Sequence, residues 1–184
     1  MDLVLEIPNH LCPETCKKII DRFESSGKKT RSLVCNKLDP NLKNGLQIAI
    51  SRHIEWEDIV DLLDEKLKDG LEKYKTFLNE KLPVPCDQFI DNLKVIDGYT
   101  VEKTTSYGWH SDFLVKNDYV QNLKLAWHLN TRAFDGETDF IFKNIKHECG
   151  KLVISPAAWD FVYKENQSSE KYSVTVGLFS TTTL

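Results

Sequence analysis

Long apolar runs are missing from this chain, and no stretch approaches the roughly 20 residues of a membrane span. Its first residues, Met-Asp-Leu-Val-Leu-Glu, lack both the basic start and the sustained apolar stretch of a secretory signal, so a cytoplasmic protein is expected. Positive charge is not in surplus either. Lys and Arg number 24 against 28 Asp and Glu, a formal net charge of −4, which implies no general affinity for nucleic acid. The cysteines are five, an odd and scattered set (Cys12, Cys16, Cys35, Cys86, Cys149), which fits a reduced setting and not a disulfide framework. Cys12 and Cys16, with His10 nearby, have no second ligand pair downstream, so Cys16 is expected on the core face of a helix. Internal repeats and low-complexity tracts are also lacking. With 184 residues, one domain spanning 1–184 with one sizeable core is expected.

What is present falls into two halves. Residues 1–87 read as a helical support region. Leu3 to Ile7 suggests a short strand, and Pro13 suits the first turn of a helix whose Cys16, Ile19, Ile20 and Phe23 recur at helical spacing. The polar segment from Thr30 to Asn44 reads as a loop that could contact substrate, and Leu46, Ile48 and Ile50 alternate as in a strand. From Glu55 to Leu78, one apolar stripe (Trp56, Ile59, Leu63, Leu67, Leu71, Tyr74, Leu78) marks a long amphipathic helix that Gly70 weakens slightly.

Residues 88–184 change character. Phe89-Ile90, Leu93 to Ile96, Thr100 to Lys103, Leu123 to His128, Thr138 to Phe142, Lys151 to Ile154 and Ser173 to Phe179 are short strand-like runs. Turn signals at Asp97-Gly98, Asp135-Gly136 and Cys149-Gly150 separate them, and Lys116 to Gln121 reads as a second candidate substrate loop. Helices first and many strands after predict an α+β chain whose second half is a double-stranded β-helix, or jelly roll, backed by N-terminal helices.

One stretch stands out chemically, Tyr107-Gly-Trp-His-Ser-Asp-Phe113. On an extended backbone His110 and Asp112 point to the same side and could present an imidazole and a carboxylate to one metal ion. A third ligand from a distant strand would complete the two-His-one-carboxylate facial site of non-haem iron(II).

Four stretches together resemble the prolyl 4-hydroxylase-like branch of the iron(II)/2-oxoglutarate-dependent oxygenases. Tyr107-Gly-Trp-His-Ser-Asp112 is similar to its Tyr-x-x-His-x-Asp, and Leu129-Asn130 with Asp135-Gly-Glu-Thr-Asp-Phe140 to its Leu-Asn and Gly-Glu-Thr-x-Phe hairpin. Gly150-Lys-Leu-Val-Ile-Ser-Pro-Ala157 and Lys171-Tyr-Ser-Val-Thr175 are similar to the strands that follow. The resemblance implies a dioxygenase that hydroxylates a C–H bond, usually a prolyl side chain of a peptide or protein substrate, while decarboxylating 2-oxoglutarate to succinate. The implied cofactors are iron(II) and 2-oxoglutarate, with ascorbate as an accessory. His110 and Asp112 would hold the metal. Lys171 would pair with the distal carboxylate of 2-oxoglutarate, Tyr107 would add a phenol hydrogen bond to it, and Thr175 would line the same pocket. Trp127 is expected in the core and Gly136 in a tight hairpin.

The sequence departs from the branch at one place. Its second iron-binding His should follow the Pro156-Ala157 stretch, and the matching run Trp159-Asp-Phe-Val-Tyr-Lys164 puts Tyr163 there. No His follows His147, which itself falls in a loop position, while His128 lies in a neighbouring strand and is an alternative ligand. Three readings stay open: an oxygenase with a weakened site using His110, Asp112 and Tyr163 or water; a non-catalytic relative that binds 2-oxoglutarate or a peptide; and an unrelated binding jelly roll.

Overall fold

The computed structural model describes residues 2–32, 39, 41–132, 136–165 and 170–182. Among the described residues, three α-helices are built from the first half of the chain. Helix α1 (Pro13–Ser25) starts on Pro13, whose missing N–H costs nothing at that position, and buries Cys16, Ile19 and Phe23 one turn apart. Helix α2 (Glu57–Lys81) carries Glu57 and Asp58 in its first turn and Lys81 in its last, matching the helix dipole at both ends. Its buried stripe is Ile59, Leu63, Leu67, Gly70, Tyr74 and Leu78. Gly70 is a close-approach position: a Cβ there would lie 2.8 Å from Leu152 Cδ2, so its absence lets the helix settle onto the sheet. The strand expected at Phe89-Ile90 is instead a short helix, α3 (Asp87–Asp91). Two apolar residues are too few to set a period, and Asn79 of the preceding helix decides by accepting the Cys86 N–H and donating to the Asp87 carboxylate.

Among the described residues, twelve strands form one curled, antiparallel sheet. They are β1 (Leu5–Ile7), β2 (Thr30–Arg31), β3 (Lys43–Ala49), β4 (Lys94–Val95), β5 (Thr100–His110), β6 (Val115–Lys116), β7 (Tyr119–His128), β8 (Thr138–Phe140), β9 (Lys143–Ile145), β10 (Leu152–Pro156), β11 (Tyr163–Glu165) and β12 (Lys171–Thr181). The main path runs β1-β10-β7-β12-β5-β11-β8-β9. Helices backing one curled sheet give the α+β jelly roll that the pattern of elements predicts.

Strand alternation separates the two faces of this sheet. Leu123, Leu125 and Trp127 of β7, Val174, Val176 and Leu178 of β12, and Leu152 and Ile154 of β10 face the helices and form the main core with Phe23, Trp56, Leu63 and Tyr74. Trp127 is fully buried there, its indole N–H donating to His10 Nδ1 at 3.0 Å. The intervening residues, among them Lys124, Ala126 and His128 of β7 and Lys171, Ser173 and Thr175 of β12, line a cleft on the opposite face.

Strand β5 is longer than the Thr100 to Lys103 run expected from its apolar pattern. It is held on one flank by β3 as far as Tyr107 and on the other by β12 and then β11, which carries it on to His110. The stretch from Lys116 to Gln121 is not a long loop but a hairpin in which Lys116 pairs with Tyr119, Asn117 taking the positive φ (52°) that such a turn needs. Of the expected loop from Thr30 to Asn44, both ends are strand, while residues 33–38 and 40 lie outside the described residues, as does Asp135 of the Asp135-Gly136 turn.

Candidate functional site

The cleft opposite the helices holds about 550 Å³ of empty space, its open mouth included. Of the expected site residues, Tyr163 of β11 and Lys171 and Thr175 of β12 line it, while Tyr107 and His110 of β5, and Asp112 just beyond β5, adjoin it through Glu165, Tyr163 and Lys124. Register along β5 explains how: Thr104 pairs with Lys171, Tyr107 with Glu165, and His110 with Tyr163. Strands β11 and β12 therefore meet the same edge of β5 one after the other, and Tyr163, Glu165 and Lys171 follow along one line.

At the His110 end, Asp112 is held by two partners. Tyr163 donates its phenol hydrogen to Oδ2 at 2.6 Å, and the Lys124 ammonium donates to Oδ1 at 3.0 Å. Lys124 also donates to the Tyr163 oxygen at 2.7 Å, closing a three-membered ring of polar contacts. The Lys124 and Asp112 side chains are each only 16 % exposed. Burial opposes charge on Asp112, but Lys124, His110 and Tyr163 outweigh it and hold the carboxyl below its ordinary range. Burial likewise opposes charge on Lys124, and Asp112 outweighs it, so the ammonium stays charged well past its usual range. Burial and the Asp112 charge both push the Tyr163 phenol well up, so it is a neutral donor and not a phenolate.

His110 stacks on Tyr107 with ring centroids 3.3 Å apart and 12° between planes, and its Nδ1–H donates to the Gly108 carbonyl at 2.7 Å. Its Nε2 is buried and has no hydrogen-bond partner among the described residues. Burial, offset in part by Asp112, lowers its pKa and favours the neutral ring. Tyr107 lies under the Lys43 ammonium, 4.8 Å from the ring centroid.

These residues do not fit iron(II). Facial coordination needs two imidazoles and a carboxylate with free oxygens around an empty centre. Here both Asp112 oxygens are engaged, the third corner is a neutral phenol, and a fixed positive charge sits on the ligand carboxylate. Among the described residues, no group of three or more His, Cys, Asp or Glu side chains is arranged to hold a metal. His128 does not supply the missing corner. It lies four residues along β7 from Lys124, roughly 13 Å at strand rise, and its ring stacks on His147 at 4.0 Å instead.

At the other end of the line, Lys171 is 3 % exposed and forms an ion pair with Glu165, Nζ to Oε2 3.1 Å. Burial works against the Glu165 charge, yet Lys171, Lys124 and Lys43 together bring its pKa down to about 2. Thr175 lines the same cleft two pleats further along β12. Gly136, at φ 99°, packs where a Cβ would come within 3.2 Å of the Lys171 stem. Lys124 and Glu165 are the two residues that motif reading misses. Lys124 had a signal, being a charged side chain on the inward face of the Leu123 to His128 strand.

His147 gives a pH prediction. Its Nε2–H donates to Asn130 Oδ1 at 3.1 Å and to the Tyr172 carbonyl at 3.2 Å. Burial, with Lys171 nearby, lowers its pKa to about 4. In the unfolded chain it would titrate near its ordinary value of about 6.5 and bind protons first, so stability is full above that pH and falls on acidification until about pH 4. That shift corresponds to about 3 kcal/mol. Urea unfolding at pH 7 and pH 4.5 should show most of this loss in the wild type and a flatter dependence in His147→Gln. Parallel pH profiles for the two proteins would remove His147 as the cause.

No protein-family model matches the chain, and no curated protein matches it by sequence. Solved structures match it by fold over nearly its whole length. One is a viral collagen prolyl hydroxylase from Paramecium Bursaria Chlorella virus-1 in its 2-oxoglutarate complex, at TM-score 0.61 and 16 % identity, covering 97 % of both chains. Another is a prolyl hydroxylase from Trichoplax adhaerens in complex with a hypoxia inducible factor oxygen degradation domain peptide, at TM-score 0.73 and 14 % identity, covering 96 % of this chain and 83 % of that one. A third is HygX from Streptomyces hygroscopicus with nickel and 2-oxoglutarate bound, at TM-score 0.57 and 9 % identity, covering 96 % and 82 %. The fold is thus the jelly roll of prolyl 4-hydroxylases and related 2-oxoglutarate oxygenases.

Proposed function

We propose that this chain uses an oxygenase fold as a metal-independent binding module for a peptide or protein partner, without turnover. The observation that carries this reading is Lys124, whose ammonium lies 3.0 Å from Asp112 and 2.7 Å from the Tyr163 oxygen. One fixed side-chain charge satisfies the carboxylate that a metal would otherwise satisfy. A protein partner is supported by the aromatic rings that run from this corner to the surface. Phe140 stacks on Tyr163 at 4.9 Å and touches Phe142 and Phe161, and Phe142 is 45 % exposed. Trp159 nearby in sequence is 74 % exposed, and such rings are common anchors in protein interfaces. The Trichoplax neighbour, whose structure contains a peptide, supports the same kind of partner.

A second reading, an iron(II)/2-oxoglutarate dioxygenase acting on a prolyl or other peptide side chain, is favoured by one observation. His110 Nε2 is buried and has no hydrogen-bond partner among the described residues, and its ring lies 4.3 Å from that of Tyr163, which holds Asp112, as a ligand nitrogen's would. In that case His110 and Asp112 would hold the metal, which would supply oxygen activation, and Lys124 would have to leave Asp112 first. The two readings separate in one assay. Purified protein is incubated aerobically with iron(II), 2-oxoglutarate, ascorbate and proline-containing peptides, and succinate is measured against a His110→Ala control. Succinate no higher than the control is expected. Iron-dependent succinate that His110→Ala abolishes would establish the oxygenase and end the metal-independent reading.

A further inference from the structure

The last residue of β11 and the first of β12 meet across the edge of β5. Glu165 pairs with Tyr107 and Lys171 with Thr104, three positions apart on one strand, and both side chains turn into the cleft. The Glu165 carboxylate then reaches the Lys171 ammonium at 3.1 Å. A Cβ at Gly136 would come within 3.2 Å of Lys171 Cδ, and the Lys171 side chain is 3 % exposed, its ammonium in ion-pair contact with Glu165 but in no hydrogen bond among the described residues. Nearest the pair among the hydroxyl-bearing residues of the cleft are Thr138, which pairs with Glu165, and Ser173, one pleat from Lys171, donors suited to a carboxylate that would sit where Glu165 sits.

We propose that Glu165 is a built-in occupant of the acid-binding position formed by Lys171, and that it sets the specificity of the cleft by excluding free short-chain carboxylic acids. The inference rests on the metal-independent reading above and extends it to the second half of the site. The charges agree with it. Lys171 and Lys124 balance Glu165 and Asp112 with no ligand present. An entering dicarboxylate would bring its own negative charges beside Glu165 and would have to break an ion pair that is already made. Removing the Glu165 carboxylate leaves a buried ammonium facing hydroxyl groups, which is a site for an external acid.

The test is titration of glutarate and of 2-oxoglutarate into chelator-treated protein by calorimetry, with thermal unfolding in parallel. Wild type should bind neither acid at millimolar concentration. Glu165→Ala should gain affinity of at least about tenfold over the wild-type limit, and Glu165→Ala/Lys171→Met should lose that gain. Should Glu165→Ala not fold, the isosteric Glu165→Gln carries the same measurement, and the acids should raise its unfolding temperature but not that of the wild type. Equal affinity of wild type and either Glu165 variant would overturn the proposal, as would a folded variant that gains nothing. Binding is read without metal or turnover, so equal affinities would overturn this proposal and leave the metal-independent reading standing, whereas succinate production by the wild type would require 2-oxoglutarate to bind and would count against both.

Discussion

Lys124→Met is expected to destabilise the protein by about 3–5 kcal/mol, the usual range for removing one partner of a buried ion pair. Methionine keeps the length and volume of the side chain, so the core should not be left with a large cavity. What changes is charge. Asp112 keeps one hydrogen bond, from the Tyr163 phenol at 2.6 Å, and loses the ammonium at 3.0 Å. A mostly buried carboxylate is then stranded beside a phenol and an imidazole that burial keeps neutral. Urea unfolding at pH 7 measures the loss. A second substitution, Asp112→Asn, should recover much of it, because the uncompensated charge disappears and the amide can still accept from Tyr163. Additive losses in the double variant, or a single-variant loss under about 1 kcal/mol, would mean that the pair contributes no more than a surface salt bridge.

The architecture was legible because it rests on periodicity. The apolar stripe from Trp56 to Leu78 and the alternation in Leu123 to His128 and Ser173 to Phe179 each fix a face, and the faces together fix a sheet with helices on one side. Two elements were not legible. Phe89-Ile90 is helical because Asn79, a residue of the preceding helix, ties down the turn at Cys86 and Asp87. Strand β5 runs on to His110 because three other strands pair with it. Both are tertiary decisions, absent from any local window.

The site was legible in position and not in state. Tyr163 and Lys171 line one cleft, Asp112 meets Tyr163 at its edge, and the register of β11 against β5 sets Tyr163 opposite His110. Motif spacing is silent on Lys124 and Glu165, which belong to no motif. Glu165 is found only by asking what satisfies a buried charge that the motif supplies, and the same question gives Lys124 its role, since a buried carboxylate or ammonium must have a partner. Gly70 shows the same limit in the core. It reads as a weak point in a helix, but the helix is in contact with Leu152 there.

The double substitution Lys124→Ala/Tyr163→His should create a metal site, with cobalt(II) affinity on the order of 100-fold or more above wild type. Tyr163 pairs with His110 across β11 and β5, and their rings lie 4.3 Å apart, so an imidazole at 163 would face the one at 110. Removing Lys124 takes away the positive charge from Asp112 and empties the space between the three side chains. Neither change suffices alone. Tyr163→His leaves the ammonium on the carboxylate, where it repels a divalent ion, so its gain should be small. Lys124→Ala leaves two protein ligands and a neutral phenol, too few for tight binding. Anaerobic cobalt(II) titrations followed by visible absorption would rank the four proteins, with circular dichroism to show that each is folded. A Tyr163→His single variant that binds as tightly as the double would show that Lys124 gives way freely and is no obstacle to a metal. Tight binding by the wild type itself would place the metal in the native protein and return the site to the oxygenase reading, with Tyr163 beside the ion and Lys124 displaced from Asp112.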